Sequence, residues 1–133
     1  MDHHAALIFA MVLVSAADGN MTDAEIEAIT DIVGHLPVFR DYDRSGLTGT
    51  LGAFAETLAH ENGLEEAFEA LEKALPKKLR ETAYALACDV VAADGEASQE
   101  ELQVLEAIRH RLHIDRLIAA GIERGARARF LTV

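Results

Sequence analysis

"AALIFAMVLVSAADGNMTDAEI", Ala5–Ile26, decides the fold. From Ala5 to Ala17 every residue except Ser15 is apolar, so a helix here has no face for water and belongs inside a bundle. At 13 residues the run is too short to span a bilayer, and "MDHH" before it lacks the positive charge of a secretory leader. Gly19 ends the helix. "TDAE", Thr22–Glu25, then has the form of a capping box, in which a hydroxyl and a carboxylate satisfy the first free N–H groups of the next helix. That helix, Asp23 to about His35, carries Ile26, Ile29, Ile32 and Val33 at helical spacing and is expected to turn its acids outward.

The phrase is written twice. "AADGNMTDAEI", residues 16–26, returns as "AADGEASQEEL", residues 92–102. Asp18 and Gly19 correspond to Asp94 and Gly95, Thr22 to Ser98, Glu25 to Glu101, and Ile26, Ile29 and Ile32 to Leu102, Leu105 and Ile108. The second copy is again preceded by a nearly all-apolar run, "AYALACDVVAA". Each unit, residues 5–35 and 81–113, reads as a buried helix, an Asp-Gly turn and a capped amphipathic helix folding its apolar stripe back on the first. Two such units can pack about a pseudo-twofold axis.

Between them, residues 34–50 read as a connection with a short helical turn, and "LGAFAETLAH" and "LEEAFEALEKAL" as two helices separated by a stop at Gly63. A long helix follows from Lys77, and "HIDRLIAAGIERGARARF" adds a last helix with a basic tail. No segment alternates with period two over a strand's length. The expectation is an all-α fold: one domain over residues 1–133, a compact bundle of about seven helices.

Composition narrows the function. Twelve Lys and Arg stand against 23 Asp and Glu, a formal charge of −11, which disfavours nucleic acid and anionic lipid as partners. The single Cys88, in an apolar run, reads as an inert buried residue of a protein kept in a reducing compartment, and the cytoplasm is the expected location. Asp89 beside it needs a hydrogen-bond partner. His3 and His4 read as a solvated tail, and Arg109, Arg111, Arg124, Arg127 and Arg129 as a solvated face. Glu56 with His60 and Glu106 with His110 lie four apart, whereas di-iron bundles use Glu-x-x-His. No phosphate loop or nucleophile motif is present, and no enzyme activity is expected.

The doubled motif has a purely structural explanation in glycine terminators, turn-forming Asp and capping Glu. That explanation leaves Asp18 and Asp94 at the negative ends of helix dipoles, a cost of about 0.3–1 kcal/mol each. A cation held by Asp18, Glu25, Asp94 and Glu101 removes the conflict. The offsets match the second half of an EF-hand calcium loop, but Val14, Ala16, Val90 and Ala92 fall where its first ligands belong. Any site must therefore combine both units or fill its shell with water, with Ca²⁺ or Mg²⁺ as the expected ion.

The doubled "ADG" with "[ST]xxE" on buried helices resembles the TerB-like domain of bacterial tellurite-resistance and stress-response systems, a fold also found in some membrane-anchored J-domain co-chaperones. The resemblance runs from about Leu7 to Leu117, with no matching feature between Pro37 and Gly63. It implies a compact helical, non-enzymatic module, with Asp18 and Glu25 as one acidic pair and Asp94 and Glu101 as the other, proposed in that family to bind divalent metal. It also implies a protein partner, an integral membrane component of the stress response. The alternative is an acidic helical interaction module without metal.

Overall fold

The computed structural model describes residues 1–133 and contains seven α-helices, three 3₁₀ turns and no strand. The helices are α1 (His3–Ser15), α2 (Asp23–His35), α3 (Leu47–Ala59), α4 (Gly63–Ala74), α5 (Arg80–Ala93), α6 (Gln99–Arg111) and α7 (Arg116–Arg129).

The all-apolar reading of α1 is borne out. Every residue from Ala6 to Val14 is at most 3% exposed, nine of the 32 residues in one continuous core. At about 1.5–3 kcal/mol per large apolar side chain, the seven largest contribute roughly 10–20 kcal/mol gross. That rivals the whole net stability of a typical domain, about 5–15 kcal/mol. Helices α2, α3, α4, α5 and α6 all pack around it. Ser15, fully buried, is satisfied by donating its Oγ hydrogen to the Met11 carbonyl at 2.9 Å.

Each unit is built locally as expected, a buried helix, an Asp-Gly turn and a capped helix, but the packing is not confined to one unit. Helix α2 lies chiefly against α5, not back on α1, and α6 packs on both α1 and α5. Because α1 and α5 cross in close contact, each amphipathic helix finds apolar surface from the opposite unit. Along the stripes, Ile29, Val33, Leu105 and Ile108 are buried, while the first-turn residues Ile26 and Leu102 remain 38% and 47% exposed.

Other expectations are corrected by contacts distant in sequence. The N-terminal histidines are not a solvated tail: Asp2 caps α1 through the Ala5 N–H, and His4 donates from Nε2 to the Val38 carbonyl at 2.8 Å while stacking on Phe39. Lys77–Leu79 form a 3₁₀ turn, so α5 begins only at Arg80. Gly63 starts α4 instead of ending α3. Asn62 takes the left-handed position (φ 65°), and Gly63 is required because a Cβ there would sit 2.4 Å from the Thr57 carbonyl oxygen. Of the five arginines read as a solvated face, Arg111 binds Glu65 and Glu72 and lies over the Phe68 ring, Arg109 binds Glu106, and Arg129 pairs with Asp89. Asp89 thus has the partner its position demanded.

Two glycines should respond to alanine with opposite signs. Gly63→Ala forces backbone apart and should destabilise by about 1–3 kcal/mol. Gly52→Ala, inside α3 with nothing within 4 Å of a new Cβ, should stabilise by about 0.5–1 kcal/mol. Urea unfolding of both variants checks the pair, and equal signs would contradict the packing described.

Candidate functional site

Gly19 (φ 83°) and Gly95 (φ 80°) terminate α1 and α5 in the left-handed conformation. Their amides donate to the Ala16 and Ala92 carbonyls at 3.0 and 3.1 Å. Both capping boxes form. The Glu25 N–H donates to Thr22 Oγ1 and the Glu101 N–H to Ser98 Oγ, each at 3.1 Å, while Glu25 Oε1 and Glu101 Oε1 accept the Thr22 and Ser98 N–H groups at 2.9 and 2.8 Å.

The expectation that these helices turn their acids outward fails at the two capping glutamates. Glu25 is 1% exposed and Glu101 2%. A capping box folds the carboxylate over its own helix end, and the packing of the bundle brings the Glu25 carboxyl beside that of Glu101. Glu25 is pushed up to about 8, first by burial and next by the neighbouring Glu101 carboxyl. Its Oε2 is buried and has no hydrogen-bond partner. Burial beside a second carboxyl favours the protonated form of Glu25. With both ionised, Oε2 is an orphaned buried acceptor beside a like charge.

The structure thus brings together two of the four residues expected to bind metal. Asp18 is exposed, its Oδ1 accepting the Asn20 N–H at 3.1 Å in a local turn, and Asp94 forms the C-cap of α5. No group of three or more His, Cys, Asp or Glu side chains is gathered as metal ligands would be. The Glu25 and Glu101 carboxyls suit a hard cation in charge and donor type, while each Oε1 already accepts a capping N–H.

Two cavities escaped sequence reading. One, of about 430 Å³ between α5, α6 and α7, is mostly apolar; on its wall Tyr84 donates its hydroxyl to Glu123 at 2.6 Å and burial pushes the Cys88 thiol up to about 12, as an inert cysteine requires. The other, of about 330 Å³, lies at the C-terminal end of α2. The first is lined from three separate helices, whereas the second is lined by the single stretch 33–44, in which no motif marks it.

Residues 4–121 match the family model of tellurite resistance protein TerB. The chain belongs to the TerB family. No curated protein and no solved structure gives a significant match. The TerB match takes in both motif units and the intervening helices, including the stretch from Pro37 to Gly63 that carried no recognisable feature. No helix is long and apolar enough to cross a membrane.

The raised proton affinity of Glu25 makes stability depend on pH with a definite sign. Glu25 has a folded-state value near 8 against an ordinary 4.5, so between those values the folded state holds a proton that the unfolded state has released. Metal-free protein should therefore lose stability as pH rises through this window, by up to about 1.4 kcal/mol per pH unit. Glu25→Gln, whose amide can donate to Glu101 at every pH, should lack that slope and exceed the parent in stability at pH 8.5. Thermal melts in chelator from pH 4.5 to 8.5 read the difference, and parallel curves would exclude a buried proton on Glu25.

Proposed function

We propose that this TerB-family chain is a non-enzymatic, divalent-cation-responsive module, in which Ca²⁺ or Mg²⁺ replaces the proton between Glu25 and Glu101, with Asp18 and Asp94 adding negative charge from the neighbouring turns. The buried, unpartnered Oε2 of Glu25 facing Glu101 carries this reading. A protein folds two carboxyls into one dry contact at a cost that either a proton or a cation must offset. In this reading ion occupancy sets the spacing of the α2 and α6 N-termini, and a protein partner, an integral membrane component of a tellurite-resistance or stress-response system, senses that surface. Exposed Leu117 and Ile118 at the start of α7 offer apolar area for such a contact. The protein is read as cytoplasmic and as reaching the membrane only through that partner.

A second reading, an acidic interaction module without metal, is favoured by one observation. Glu25 and Glu101 each already have a complete local role in a capping box, and no third ligand joins them.

Calorimetric titration of Ca²⁺, Mg²⁺ and Mn²⁺ at pH 7 and fixed ionic strength separates the two. The cation reading expects one site per chain and about one proton released, seen as a dependence of the heat on the buffer's ionisation enthalpy. Glu25→Gln and Glu101→Gln should abolish binding, and Asp18→Asn and Asp94→Asn should weaken it several-fold. A parent that neither binds nor melts higher with any of these ions leaves only the second reading.

A further inference from the structure

The 330 Å³ concavity at the C-terminal end of α2 differs from the rest of the surface in charge. Arg40, Arg44, His35 and Tyr42 line it together with Val33–Phe39 backbone and side chains, and no Asp or Glu is among the lining residues. In a chain with 23 acids and 12 bases, an acid-free concavity with two guanidiniums runs against composition. Neither Arg40 nor Arg44 is in an ion pair, whereas Arg109, Arg111 and Arg129 all are. Asp41 and Asp43 alternate with these arginines in sequence but do not line the concavity, and Asp43 is turned to the Ser45 N–H at 3.0 Å.

The exposed Arg44 side chain lies against the bare backbone of Gly34. A Cβ at Gly34 would lie 2.7 Å from Arg44 Nη1, so the guanidinium rests on the bare backbone of the last turn of α2. Complementing a helix C-terminus is one use for that charge, but the helix end supplies only about −0.5 of an elementary charge. Two guanidiniums leave a clear positive excess. Arg40 contributes beyond what the helix end can use, and a planar fork of donors suits a tetrahedral or planar oxyanion. His35 has its Nδ1 hydrogen donated to the Asp31 carbonyl at 2.8 Å, so the arginines and the Tyr42 hydroxyl are the main donors available.

We infer that this concavity is an oxyanion site for a phosphate monoester, held between the Arg40 and Arg44 guanidiniums at the end of α2 remote from Glu25.

The test is titration of inorganic phosphate into ¹⁵N-labelled full-length protein at constant ionic strength, with chloride as control. Saturable shifts confined to residues 33–44 are expected with phosphate and not with chloride. Arg40→Gln and Arg44→Gln should each weaken binding at least threefold and the double variant at least tenfold. Gly34→Ala should weaken it with no change of charge, by displacing the Arg44 guanidinium. Lys77→Gln with Lys78→Gln, a loss of two charges elsewhere, should leave it unchanged. Absence of saturation at residues 33–44, equal shifts with chloride, or equal weakening by the lysine changes would overturn the proposal. Glycerol 3-phosphate and phosphatidic acid vesicles then identify the source. Binding of either that is lost in the arginine double variant supports the site, and vesicle binding that survives in it counts against a headgroup here.

Discussion

The lack of any wet face on α1 is the constraint from which the rest of the architecture follows. A helix buried from Ala6 to Val14 needs neighbours on every side, and one amphipathic partner covers only part of its circumference. Helix α5 makes almost the same demand with Ala83, Leu86, Ala87, Val90 and Val91. The two cover each other first, and the remaining helices close over what they leave bare. With α1 and α5 in contact, α2 lies against α5 and α6 against both, and the carboxyls of Glu25 and Glu101 that cap α2 and α6 are brought side by side. The buried acid pair is thus a product of global packing imposed on two ordinary local motifs.

Legibility in the sequence ended where contacts became distant. The apolar run of α1, the boxes at Thr22 and Ser98 and the left-handed Gly19 and Gly95 are each decided within about five residues, and all were readable. The burial of Glu25 was not, because a capping box describes one helix end while the carboxyl that raises its proton affinity belongs to Glu101, 76 positions on. His4 was misjudged for the same reason, its acceptor being Val38. Gly63 failed differently: glycine serves both left-handed turns and close backbone approach, and only the position of Thr57 decides between them. Membership of the TerB family could be suspected from the short doubled motif, and the match over residues 4–121 extends it across the stretch where no motif was visible.

Helix α2 has different chemistry at its two ends. Its N-terminal turn holds a carboxyl in a dry contact, and its last turn supports a guanidinium over bare backbone. Nine residues at 1.5 Å each put these features roughly 14 Å apart, on one rigid element that also lies against α5. The guanidinium agrees with the cation-favouring end of the helix dipole, whereas burial overrides the anion-favouring start at Glu25. A displacement of α2 along its axis would alter both ends together.

The exchange of packing partners has a consequence for how the chain is made. Helix α1 is complete at residue 15, yet its principal cover, α5, spans residues 80–93. At synthesis rates of about 5–20 residues per second, the ribosome takes roughly 4–16 s to supply the missing helix. Throughout that interval the most apolar segment of the nascent chain has only α2, α3 and α4 to shield it, and α2 itself is waiting for α5. Neither repeat can close alone. The cover of α1 can be complete only once α5 and α6 have been made, and until then its aliphatic surface has fewer neighbours than in the finished bundle.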